Sequence, residues 1–311
     1  MATALFTHPE FDGHVTPDGH PERVARLEAV RAALSGPGFK ALDRREAPVC
    51  DRAELLRVHP EAYVAQIEAA IPDAGFVALD ADTHVSPGSL RAALRAVGGC
   101  VAAVDAVLAG EVANAFVACR PPGHHAETAT PMGFCLFGNA AIAAKRALDH
   151  HGLSRVAVVD FDVHHGNGTQ ALLWSEKRTL FVSSHQLPLW PGTGDAHETG
   201  AFDNVINLPL APMTGGVEMR RAYDREVWPA LDDFAPELVI ISAGFDAHAA
   251  DPLANLEWTE ADFAWLTEGL CDLADTHAGG RVVSTLEGGY DLKALGASVA
   301  AHMQVLMERG G

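Results

Sequence analysis

The sequence predicts an α/β fold. It reads as a single domain over residues 1–311 with a mostly parallel central sheet, helices on both faces and a site at the carboxyl ends of the strands. Three observations carry this. Five short runs are apolar at nearly every position, the pattern of strands buried on both faces. Longer stretches with apolar residues recurring at three and four alternate with them. A cluster of polar, glycine and proline residues follows each apolar run at once.

In chain order, "HPERVARLEAVRAAL" (20–34) has helical periodicity, and "PGSLRAALRAVGGCVAAVDAVLAG" (87–110) is a long Ala-rich helix opened by Pro87. The first strand is "NAFVACR" (114–120). A helix over "FGNAAIAAKRALDHHG" (137–152) stops at a glycine. Strands at "RVAVVDFD" (155–162) and "TLFVSSH" (179–185) precede a helix at "GGVEMRRAYDREVWPALDDF" (215–234). The strand "ELVIISAG" (237–244) leads to "TEADFAWLTEGLCDLADTHAGG" (259–280), where Thr259 and Asp262 form a capping box. "RVVSTLEGG" (281–289) is the last strand. No linker, repeat or low-complexity tract interrupts the series.

The net charge of −19 repels a phosphate backbone and argues against a nucleic-acid partner. It favours cationic ligands. No apolar stretch reaches the roughly 20 residues of a membrane-spanning helix, so no membrane partner is expected. Five cysteines (Cys50, Cys100, Cys119, Cys135 and Cys271) form no CxxC pair and are odd in number. That usage suits a reducing compartment, and the N-terminus lacks the pattern of a signal peptide; a cytoplasmic location is expected.

"AVVDFDVHHGNGT" (157–169) places Asp160, Asp162 and His164 at every second position of an apolar strand. Buried charge needs compensation. Alternation would aim Asp162 and His164 the same way, and Asp246 follows another strand. Three such residues with an open position form the pattern of a catalytic divalent metal. The mixed oxygen and nitrogen donors suit Zn²⁺, and also Fe²⁺, Co²⁺ or Mn²⁺. His124 and His125 sit on the stiff loop "RPPGHHAE" and suit proton transfer. Asp160 and Asn167 are candidate partners for them, one charged and one neutral, which would separate their pKa values. Tyr290, after Gly288 and Gly289, can donate to an oxyanion opposite a metal. Phe134 and Trp190 can wall a channel or pack in the core. No Walker loop, Gly-x-Ser-x-Gly elbow or nucleophilic cysteine context occurs.

Together "RPPGHHAE", "VVDFDVHHGNGTQ", "SAGFDAHAADPL" and "EGGYD" resemble the histone deacetylase family in its class II-like branch, in order and spacing, across nearly the whole chain. The resemblance implies an arginase-like α/β fold and one catalytic Zn²⁺ on Asp162, His164 and Asp246. It implies tandem catalytic histidines at His124 and His125, partnered by Asp160 and Asn167, and a catalytic Tyr290. An acyl-lysine channel would be lined by Gly133, Phe134, Trp190 and Leu253, with Arg26 beneath the site. A structural K⁺ would lie at Asp160, Asp162, His164, Ser183 and Ser184. Gly166 and Gly244 stand where related two-metal enzymes carry acidic ligands, which favours one metal. The region "HVSPGS" (84–89) offers no rim carboxylate to hold a substrate backbone. The implied activity is zinc-dependent removal of acetyl or other acyl groups from lysine side chains or related N-acyl amines. The alternatives are acetylpolyamine hydrolysis and a non-enzymatic acyl-lysine binding or assembly subunit. A homo-oligomer is compatible with either activity.

Overall fold

A computed structural model describes residues 1–310; Gly311 lies outside the described residues. The chain runs β1 (Thr3–Thr7), α1 (Ala25–Ala33), β2 (Asp43–Glu46), α2 (Arg52–Leu55), α3 (Glu61–Ala70), β3 (Val77–Ala78), β4 (His84–Val85), α4 (Ser89–Leu108), β5 (Asn114–Val117) and α5 (Asn139–Asp149). It continues through β6 (Val156–Asp160), α6 (Asn167–Leu173), β7 (Thr179–Gln186), β8 (Val205–Leu210), α7 (Gly216–Ala222), α8 (Trp228–Phe234), β9 (Leu238–Ala243), α9 (Glu260–His277), β10 (Val282–Leu286) and α10 (Leu292–Gly310).

Eight strands form one sheet in the order β2-β1-β5-β10-β9-β6-β7-β8, and every pairing in it is parallel. Helices α4 and α5 pack on one face and α1, α9 and α10 on the other. The inner strands β5, β6, β9 and β10 are buried at every residue, which is why they read as unbroken apolar runs. Asp160 closes β6, so Asp162 and His164 belong to the loop beyond it and strand alternation does not aim them. The first predicted helix begins only at Ala25. Residues 20–24 stay irregular, with His20 bonded to the Glu22 and Asp82 carbonyls. The predicted helix at 215–234 is continuous but widens into a π-turn at Tyr223–Val227, ahead of Pro229, which has no N–H to give the helix. The Thr259–Asp262 capping box is present in both directions.

His302 of α10 is buried against Phe116, Phe161 and Phe245 and bonds Thr267 Oγ1 (2.7 Å) and Ser284 Oγ (2.9 Å). Burial lowers its pKa to about 3. Its neutral ring therefore stabilises the fold fully above the ordinary histidine value of about 6.5. That contribution is lost as pH falls towards 3, at about 1.4 kcal/mol per pH unit. His302→Gln should flatten the acid limb of a denaturant-midpoint profile over this window. Parallel acid limbs in the two proteins would show that His302 does not titrate there.

Candidate active site

Five polar clusters meet at the carboxyl edge of the sheet, in the loops after β5, β6, β7, β9 and β10. The loop after β6 is shaped by its own carboxylates. Asp160 Oδ1 accepts the Asp162 N–H (3.0 Å), and Asp162 Oδ1 accepts the His164 N–H (2.9 Å). These two successive side-chain-closed turns bring Asp162 and His164 to one point. His164 Nδ1 lies 3.1 Å from both Asp162 Oδ1 and Asp246 Oδ2. The Val163 N–H fixes Asp246 Oδ1 (2.9 Å), and the Gly288 N–H fixes Asp162 Oδ2 (2.8 Å). One donor atom from each of the three residues falls within 4.8 Å of the others, and all three residues are buried.

The donor set fits a divalent cation. Among the described residues, neither carboxylate is paired with an arginine or lysine; histidines are their only ionic partners. Burial opposes charge on His164, yet its bonds to Asp162 and Asp246 lift its pKa to about 10. Burial and then the Asp162 charge push the Asp246 carboxyl up. The His164 shift reflects the negative charge of two carboxylates at one point, which a cation would neutralise. Three glycines beside this group leave no room for further side chains. A Cβ on Gly244 would lie 2.1 Å from Asp162 Oδ2, and one on Gly166 2.3 Å from Asp160 Oδ2. A Cβ on Gly288 would lie 2.2 Å from Asp246 Oδ2.

His124 and His125 lie side by side, ring centres 3.9 Å apart. His124 Nδ1 meets Asp160 Oδ2 (3.0 Å), and His125 Nδ1 meets Asn167 Oδ1 (2.7 Å). The charged and neutral partners are thus distributed one to each ring. Burial opposes charge on His124, but Asp162 and Asp160 outweigh it and hold its pKa well above the usual value. Burial, then the neighbouring His124 and His164, hold His125 well below it. The Asn167 amide has a fixed sense. Its Nδ2 donates to Glu127 Oε1 (2.9 Å), and a carboxylate can only accept, so Oδ1 faces His125. His125 then carries its proton on Nδ1 and leaves Nε2 free as an acceptor. Glu127 is a site residue that sequence reasoning left unassigned, although it stands within the quoted "RPPGHHAE". A second is Glu287 of "EGGYD", whose buried carboxylate accepts the Gly123 (2.6 Å) and His124 (3.1 Å) N–H groups and fixes the histidine loop.

Tyr290 is 8% exposed. The Arg26 guanidinium lies 5.0 Å from its ring centre and donates to the Gly289 carbonyl (2.7 Å). Arg26 is held by the buried Glu22, which also binds Arg120. Tyr290, His125, His164, Gly133, Phe134, Trp190 and Leu253 all line one cavity of about 210 Å³, joined by Leu189 and Asp82. The channel residues named from the sequence are therefore together. The Phe134 ring stands edge-on to Tyr290 at 5.9 Å, and the Trp190 ring edge-on to His125 at 4.7 Å. Gly133 has φ +54°, and a Cβ there would lie 2.4 Å from His125 Cδ2 and 2.6 Å from Trp190 Cη2. The cavity mouth corrects the reading of its rim. A carboxylate is present, Asp82, two residues before the segment 84–89. It sits in a turn closed by Asp80, whose Oδ1 accepts the Asp82 (3.0 Å) and Thr83 (2.6 Å) N–H groups. The run "DAD" ahead of Thr83 was the available signal.

His165 turns away from the site, its nitrogens bonded to Thr193 Oγ1 (2.8 Å) and Gln170 Oε1 (3.0 Å). Ser183 pairs with Asp160 across the β6–β7 ladder. Its hydroxyl contacts His185 Nδ1 (3.0 Å), whereas the Ser184 hydroxyl contacts Tyr223 Oη (2.8 Å). Neighbouring strand residues face opposite sides, so the two hydroxyls do not converge on one ion.

The family model described as "Histone deacetylase domain" matches residues 20–306. A histone deacetylase-like amidohydrolase of Pseudomonas aeruginosa is 42% identical, over 88% of this chain and 73% of that protein. A probable deacetylase of Archaeoglobus fulgidus is 37% identical, over 94% of this chain and 82% of that protein. The crystal structure of the HDA15 HD domain superposes with a TM-score of 0.94 at 35% identity, covering 99% of this chain and 89% of that one. Site geometry, sequence and fold agree: the chain belongs to the histone deacetylase family, in its class II-like branch, and shares that family's arginase/deacetylase-like fold.

Proposed function

We propose that the protein is a zinc-dependent deacylase that removes acetyl or other acyl groups from lysine side chains of peptides or proteins. One observation carries this reading. His164, His125 and Tyr290 line one aromatic-walled cavity, with Asp162 and Asp246 bonded to His164 and with His124, differently partnered, beside His125. Zinc held by Asp162, His164 and Asp246 would polarise the amide carbonyl and lower the pKa of a water there. His125 takes that water's proton on Nε2 while Asn167 steadies Nδ1–H. The water oxygen bonds to the acyl carbon, the C–N bond breaks, and His125 returns the proton to the leaving amine. His124, paired with Asp160, holds positive charge beside the reacting centre. Tyr290 donates its hydroxyl hydrogen to the carbonyl oxygen as charge develops on it. Phe134, Trp190 and Leu253 exclude water from an aliphatic stem, and Gly133 leaves room for it.

A structural K⁺ belongs to the same proposal, with Asp160, Asp162, His164 and Ser183 as its residues and Ser184 offering a carbonyl oxygen. The free cysteines support a cytoplasmic location. Acetylpolyamine hydrolysis is the second reading. Asp82, which lines the cavity, suits either reading, since a carboxylate there can meet the distal ammonium of a polyamine or accept a peptide N–H.

Purified protein should hydrolyse a fluorogenic acetyl-lysine substrate, lose activity to a chelator and regain it with Zn²⁺. Faster turnover of acetylated polyamines than of acetyl-lysine peptides would select the second reading. A metal-loaded protein that hydrolyses neither would be an acyl-lysine binding or assembly subunit.

A further inference from the structure

Tyr290 sits after two glycines, and Gly289 has φ +118°, a conformation that side-chain-bearing residues rarely adopt. Such a segment has little stiffness of its own, yet an oxyanion donor must be held closely in place to act. Arg26 restrains the segment from below through the Gly289 carbonyl. A second restraint comes from the loop after β9. Asp251 is 7% exposed, and its carboxylate accepts three backbone N–H groups from two loops. Oδ2 takes those of Tyr290 (2.7 Å) and Asp291 (3.3 Å), and Oδ1 takes that of Leu253 (3.0 Å). The same side chain therefore ties the backbone of Tyr290 to that of Leu253, and both residues line the cavity.

We infer that Asp251 is a positioning residue for Tyr290: its carboxylate clamps the Tyr290 backbone to the Leu253 loop and so sets where the tyrosine hydroxyl points. It makes no hydrogen bond to Asp162, His164 or Asp246, and its effect on kcat runs through Tyr290, whereas any loosening of Leu253, which lines the channel, falls on KM. The inference rests on the deacylase reading above, in which Tyr290 is the oxyanion donor.

Asparagine matches aspartate in size but has one accepting oxygen, so Asp251→Asn cannot satisfy both loops at once. The test is a double-mutant cycle on an acetyl-lysine substrate with Tyr290→Phe. Asp251→Asn should lower kcat about 10-fold or more in the parent, with metal content close to the parent's and a thermal midpoint lowered only by the unsatisfied N–H, well above the assay temperature. In the Tyr290→Phe background the same change should cost less than about threefold, because there is no hydroxyl left to misplace. Parent-like kcat for Asp251→Asn, or equal losses in the two backgrounds, overturns the inference. Should Asp251→Asn not fold, Asp251→Glu keeps both acceptors but moves them by one methylene. It should likewise lower kcat in the parent and not in the Tyr290→Phe background, and equal losses again overturn the clamp. The single Tyr290→Phe variant separates the two levels. Full activity there defeats the deacylase reading of Tyr290, whereas low activity with an additive cycle defeats only the clamp.

Discussion

Tyr290→Phe is expected to lower kcat on an acetyl-lysine substrate by about 10²–10³, while bound metal and thermal midpoint stay close to the parent's. The substitution removes one oxygen and little else. The ring keeps its edge contact with Phe134 and its place over the Arg26 guanidinium, because both depend on the aromatic face. The backbone bonds to Asp251 and the Arg26 bond to Gly289 are untouched. What disappears is the hydroxyl that, in the deacylase proposed above, donates to the oxygen on which negative charge develops. The donor is reliable at neutral pH: burial, opposed by Arg26, holds the phenol well above its ordinary pKa, so it stays protonated. Because the bond strengthens as charge grows on the oxygen, the loss should fall on kcat rather than on KM. Single-turnover rates with both proteins metal-loaded read this directly. A Phe variant as fast as the parent would remove Tyr290 from the chemistry.

The site was more legible in the sequence than the sheet that carries it. Site residues are buried polar groups in glycine- and proline-marked loops, so they stand out against apolar neighbours. Asp160, Asp162, His164, His124, His125, Asn167, Asp246 and Tyr290 all fall where their motifs place them, within one hydrogen-bonded array or around one cavity. The inner strands β5, β6, β7, β9 and β10 were legible for the complementary reason, being buried on both faces, whereas β1, also inner and largely buried, was missed. The edges were missed too. At one edge β2 ("DRRE") alternates half-buried and exposed charged residues, and at the other β8 ("VINLPL") carries Pro209, which is tolerated where no further strand must pair. Rim and support residues escaped for another reason. Asp82, Glu127, Glu287 and Asp251 act by accepting backbone or amide N–H groups or by lining a mouth, and no spacing rule announces a carboxylate in that role. The divergence of Ser183 and Ser184 follows from strand alternation and becomes visible once β7 is known to include both.

Asp246→Ala is expected to abolish metal retention. Of the three donor residues, Asp246 alone comes from outside the loop after β6, so it closes the group from the opposite side. Without it, Asp162 and His164 remain as a neighbouring pair, fewer than the three protein ligands usual for catalytic zinc. Two measurements separate metal loss from misfolding. Elemental analysis should find zinc in the parent and none in the variant; full occupancy in the variant would refute the assignment. Thermal midpoints should also diverge further when metal is added. A ligand that binds the folded state alone stabilises it by about 4 kcal/mol at a thousand times its Kd, and the variant should forgo this rise. In metal-free protein opposing local effects act. The Val163 N–H loses its acceptor and His164 loses one of its two carboxylate partners, which destabilise, while the buried repulsion between Asp246 and Asp162 is relieved. Whatever gap these leave between the metal-free midpoints, it should widen with added Zn²⁺. A gap of the same size with and without metal would make Asp246 a residue of the fold rather than of the metal site.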